Sequence, residues 1–88
     1  MNKIQARLTN CFLAVFPELT IDQVVSASST NVRNWDSVAG VTLLAVVEEE
    51  FGILLDNSSV SGLNSFQDFL NYLTRTTSTD LYAAAGGY

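Results

Sequence analysis

Apolar residues recur at helical spacing in separate stretches of this chain, and that recurrence constrains the fold more than any other feature. Ile4, Leu8, Cys11, Phe12 and Val15 stand at i, i+4, i+7, i+8 and i+11, and Phe66, Phe69, Leu70 and Leu73 at i, i+3, i+4 and i+7. Residues so spaced share one face of a helix, whereas a half-buried strand alternates every second residue. Between these stretches, apolar residues run from Val38 to Phe51. Pro17 disfavours helical geometry at Phe16 and ends the first helix. Gly52 ends the second, because glycine readily takes the left-handed conformation found just past helix ends. The expected fold is all-α: a small antiparallel four-helix bundle with three main helices and a short third helix near Val60.

The connections carry their own signals. From Pro17 to Trp35 the pattern loosens; Ile21, Val24 and Val25 suit one turn of helix, while Ser26 to Asn31 is loop chemistry. The few apolar residues of this long polar connection are expected to pin it to the core. Asp36 or Asn34 can cap the second main helix. Ser65-Phe66-Gln67-Asp68 resembles a capping box, with Asp in place of the usual Glu or Gln. Residues 1–75 read as one domain and 76–88 as a flexible tail without a core role. No internal repeat is visible.

Composition narrows the function classes. A chain of 88 residues must commit most of its apolar side chains to one core, and 48% of this one is hydrophobic, which excludes an intrinsically disordered chain. The net charge is −5, and Lys3, Arg7, Arg33 and Arg75 never cluster, so nucleic acid is not an expected partner. A lone Cys11 cannot form an internal disulfide, and the apolar run Cys11 to Phe16 is too short for a membrane span. These features fit a soluble, cytoplasmic monomer.

Catalytic chemistry finds little support. The chain has no histidine to activate a serine or cysteine, and Cys11 falls on the apolar stripe of the first helix, where an inert thiol is expected. Glu48, Glu49 and Glu50 point in different directions on a helix, so they read as a solvated acidic face rather than a paired acid and base. They also oppose the helix dipole at that end, so helix stability alone does not account for them. The stretch Asp56 to Gly62 faintly resembles a calcium loop but lacks its sixth-position glycine and closing glutamate. No zinc spacing or phosphate-binding glycine loop is present. The expectation is a non-enzyme with no metal site.

On a helical wheel the second main helix has more apolar surface than one core face needs. Leu43, Val47 and Phe51 form one stripe, with Gly40 and Leu44 beside it; Val38, Val41 and Ala45 form another, near Ser37. The second stripe is core if this helix is central to the bundle. It is a partner surface rimmed by acid if the helix is peripheral. Wheel geometry leaves both open.

The stretch Asp36-Ser37-Val38-Ala39-Gly40-Val41-Thr42-Leu43-Leu44-Ala45-Val46-Val47-Glu48-Glu49-Glu50-Phe51-Gly52-Ile53 closely resembles an acyl carrier protein. Asp-Ser alone is ordinary capping chemistry. The specific signal is the whole register, from Asp-Ser through Leu-Leu to Glu-Glu-Glu-Phe-Gly-Ile, and the resemblance covers roughly Ile4 to Leu73. It implies that Ser37 receives 4′-phosphopantetheine from coenzyme A through a separate phosphopantetheinyl transferase using magnesium. The arm's thiol then holds acyl groups as thioesters, which explains why the chain needs no catalytic base. The resemblance also favours the partner-surface alternative. Val38, Val41 and Ala45 would supply apolar contact, and Asp36, Glu48 and Glu49 would steer basic patches on acyl-loading enzymes, synthases and acyltransferases. The other side, with Leu43, Val47, Phe51, Phe66, Phe69 and Leu70, would line the core that shelters the acyl chain.

Some residues depart from the family pattern. Asn34-Trp35 stands where many members have glycine and a small or aliphatic residue, Val38 replaces Leu or Met, and Ala39 and Thr42 occupy positions often acidic in fatty-acid carriers. The resemblance therefore implies a specialised carrier, serving a polyketide, a modified lipid or a small acyl group, ahead of general fatty-acid synthesis. The alternatives are a peptidyl or aminoacyl carrier and a helical interaction module that never carries an arm.

Overall fold

The computed structural model describes residues 3–86, and within that range the side chains of all but residues 57, 59 and 77–86. The described chain is helical: α1 Lys3–Val15, α2 Ile21–Val25, α3 Ser37–Phe51, α4 Asn57–Val60 and α5 Phe66–Gly86. The apolar stripe of α1 turns inward, burying Leu8, Cys11 and Phe12, and the Phe16 amide still reaches the Phe12 carbonyl at 2.7 Å before the chain leaves the helix. The last helix extends beyond the final stripe residue, Leu73, to Gly86. The expected lack of a core role for the tail rests on side chains from residue 77 onward, which lie outside the described residues.

Two short helices interrupt the connections where one was expected. Thr20 accepts the Gln23 amide at 3.2 Å while the Gln23 side chain accepts the Thr20 amide at 2.9 Å, a reciprocal capping box that starts α2. At α5 the box is displaced by one residue. Ser65 Oγ accepts the Asp68 amide at 3.0 Å, but the Asp68 carboxylate reaches the Asn64 amide, also at 3.0 Å, instead of that of Ser65.

α1 packs against α2, α3 and α5. The surrounded helix is therefore α1, and α3 lies at the side. The core joins Leu8, Phe12 and Phe16 to Leu43 and Val47 of α3 and to Phe66, Phe69 and Leu73 of α5. Phe12 is its centre: its ring meets those of Trp35, Phe66 and Phe69 edge-on, with centroids 5.2–5.7 Å apart, a favoured aromatic arrangement. Phe51 and Leu70, expected to line the core, are half-buried and pack against its rim.

The long polar connection is pinned as expected, though of Ile21, Val24 and Val25 only Val24 is buried and Ile21 is 54% exposed. Val24, Ala27 and Val32 are buried, and the backbone pairs with the start of α5 through Ser29 N to Asn64 O at 2.8 Å and Phe66 N to Ala27 O at 2.9 Å. Asn31 tightens the loop, accepting from the Ser28 amide and donating to the Ser26 carbonyl, each at 2.9 Å.

Candidate functional site

The start of α3 is built by its neighbours in sequence. Asn34 is engaged elsewhere, donating to the Glu18 carboxylate at 2.9 Å, so the cap falls to Asp36. Its carboxylate accepts the Ala39 amide at 2.8 Å, and its carbonyl accepts the first helical bond from Gly40 at 2.8 Å. With Asp36 serving as cap, Ser37 occupies the first helical position, exposed, and its hydroxyl makes no hydrogen bond among the described residues. A helix N-terminus favours a phosphate there, because its free amides and dipole both attract negative charge.

Ser37 also borders a cleft of about 210 Å³. Along one side run Trp35, Gly40, Val41 and Leu44; facing them are Val60, Leu63, Asn64 and Phe69. The cleft exists because α3 and α5 stand apart among the described residues, each held to α1. Its walls are chiefly aliphatic and aromatic, with Ser37 and Asn64 as the polar side chains. Gly40 faces the indole without crowding it: a Cβ there would lie 3.5 Å from Trp35 Nε1, an ordinary contact.

The second stripe of α3 faces solvent. Val38 is 74% exposed and Val41 66%, and Ala45 is exposed between flanking turns. Leu54, just past the helix, is 89% exposed. The alternative that made this stripe core is thereby excluded. Val41 serves both features, since it also borders the cleft.

The three glutamates have different surroundings. The Glu48 carboxylate accepts the Leu55 amide at 2.8 Å, and its carbonyl accepts the Gly52 and Ile53 amides as the chain turns at Gly52 with φ 65°. Glu50 pairs with Arg7, whose Nε lies 2.7 Å from the carboxylate and whose Nη2 donates to the Glu50 carbonyl. The same guanidinium sits 4.4 Å above the Phe51 ring. Two of the three carboxylates against the dipole thus bond to groups elsewhere in the fold, while Glu49 is exposed on the solvent side. Of the residues expected to steer partners, Asp36 and Glu48 hold the ends of α3 in place, and Glu49 has no such bond among the described residues.

Cys11 is buried on α1, and burial, with the charge of Glu50 adding to it, pushes its thiol up to about 11. A thiol so placed stays protonated at neutral pH and is a poor nucleophile. Among the described residues no group of three or more His, Cys, Asp or Glu side chains is placed to hold a metal ion. No described helix is long and apolar enough to cross a membrane.

Sequence reasoning named Ser37 and the exposed stripe but missed the cleft. Trp35 was visible only as a departure from a family pattern, and Leu63 and Asn64 carried no signal, because the residues facing each other across the cleft are far apart in sequence. Comparison with protein-family models, curated proteins and solved structures finds no match to this chain.

Proposed function

We propose that this chain is an acyl carrier protein whose Ser37 hydroxyl is the attachment point of 4′-phosphopantetheine, on an antiparallel bundle of α1, α3, α4 and α5. The supporting observation is the setting of Ser37: exposed at the first position of α3, relieved of capping by Asp36, and bordering an apolar cleft. The residues fit such a group. The α3 N-terminus favours a phosphodiester on Ser37, and Val41, Leu44, Leu63 and Phe69 can cover an apolar chain. When attached, the arm supplies a thiol for carrying acyl groups. This chain's part is to present the hydroxyl, exclude water from the cleft and offer Val38, Val41 and Ala45 to basic partner enzymes, with Glu49 at hand to steer them.

Intact-mass spectrometry tests this. The protein is incubated with coenzyme A, magnesium and a broad-specificity phosphopantetheinyl transferase, beside Ser37→Ala. One added phosphopantetheine on the parent chain alone is expected. Addition to both places the arm on another serine. No addition to well-folded parent protein favours a dedicated transferase or an arm-free interaction module, the latter a role that the exposure of Val38, Val41 and Leu54 also supports. Loading with amino acids in preference to acyl groups identifies a peptidyl carrier.

A further inference from the structure

Two aromatic side chains, Trp35 and Phe69, line the cleft. The Trp35 indole borders it beside Ser37 and Gly40, and its ring centroid lies 5.6 Å from that of Phe12, 5.5 Å from that of Phe16 and 6.5 Å from that of Phe69. Those three phenylalanines are buried at 0–1% exposure, whereas Trp35 is only half-buried. Trp35 and Phe69 thus stand between the open cleft and the rings of Phe12 and Phe16. We propose that Trp35 sets the size of what the cleft accepts, its indole bounding the side on which a linear acyl group would otherwise reach those two rings. This deepens the carrier role and rests on it for the natural occupant. The size limit itself belongs to the side chains.

The test does not require the arm. Linear alkanols of four to twelve carbons are titrated into the unmodified full chain. Trp35 is its single tryptophan, so emission reports the cleft wall directly; methyl NMR shifts of Leu44 and Leu63 give a second readout. Affinity is expected to rise about three- to fourfold per methylene, as burial of each one predicts, until the chain meets the indole, beyond which added carbons stay in solvent and affinity levels off before twelve carbons. Gly40→Ala adds a methyl against the indole and should shorten the limit by one or two carbons, while favouring the helix. Trp35→Leu, read by NMR, should extend it; Trp35→Phe serves if the leucine variant does not fold. A limit unchanged in all variants overturns the assignment to Trp35, and so does affinity that climbs through twelve carbons in the parent chain, or no binding at any length. Failure of the carrier role shows separately, as no mass added at Ser37.

Discussion

The Asp36 carboxylate takes the Ala39 amide at 2.8 Å, across the exposed serine that lies between them in the chain. Such caps contribute about 0.5–2 kcal/mol. Asp36→Ala should therefore lower stability by about 1 kcal/mol in urea unfolding, and Asp36→Asn by less, because an amide oxygen can still accept the bond. Ser37→Ala, which removes no hydrogen bond seen among the described residues, should unfold within about 0.5 kcal/mol of the parent, as exposed positions usually do.

Burial separates the two faces of α3. Leu43→Ala truncates a fully buried side chain of α3 and should cost about 2–5 kcal/mol. Val41→Ala, at a position 66% exposed, should cost well under 1 kcal/mol. Phe51→Ala should fall between them, because that ring is only half-buried. Equal large losses at Leu43 and Val41 would contradict an exposed stripe.

Gly52 has φ 65°, and a Cβ there would meet nothing within 4 Å. Gly52→Ala thus isolates the backbone term, about 1–2 kcal/mol for a non-glycine residue in the left-handed region. Denaturant midpoints for this variant beside Gly40→Ala should shift in opposite directions, since Gly40 lies inside a helix with ordinary space around it.

Arg7 joins α1 to the end of α3 through Glu50 and the Phe51 ring. Both charged side chains are nearly half exposed, at 45% and 43%, so the ion pair itself should contribute no more than about 1 kcal/mol. A double-mutant cycle with Arg7→Ala and Glu50→Ala should return a coupling of that order, weakening in high salt. Arg7→Ala should cost more than Glu50→Ala, because it also uncovers Phe51.

The Cys11 thiol is pushed from 9.0 to about 11 by burial. The folded protein therefore holds a proton that the unfolded chain releases between these values, and stability should fall as pH rises from about 9 to about 11. Cys11→Ala should flatten that part of the pH profile, though it lowers stability overall by leaving a cavity. A thiol reagent at pH 8 should label native protein only as fast as it opens.

Much was legible locally. Helical spacing in α1 and at the start of α5, the stop at Gly52 and the cap before Ser37 all depend on residues within a few positions of one another, so their physics is written along the chain. The Thr20-Ile21-Asp22-Gln23 capping box of α2 is just as local, yet it was not read from the sequence. The choice between Asn34 and Asp36 was not legible, because it turned on Glu18, which claims the Asn34 side chain from another part of the fold.

Local spacing and capping along the chain set where the main helices form and put a serine at the head of one of them. Which side of α3 is covered is not written locally, because that helix is apolar over much of its circumference and its periodicity does not choose between faces. Packing against α1 made the choice, burying Leu43 and Val47 and leaving Val38 and Val41 in solvent. The cleft arose in the same way, from Trp35 and Phe69 brought together across 34 positions of chain by the core they share.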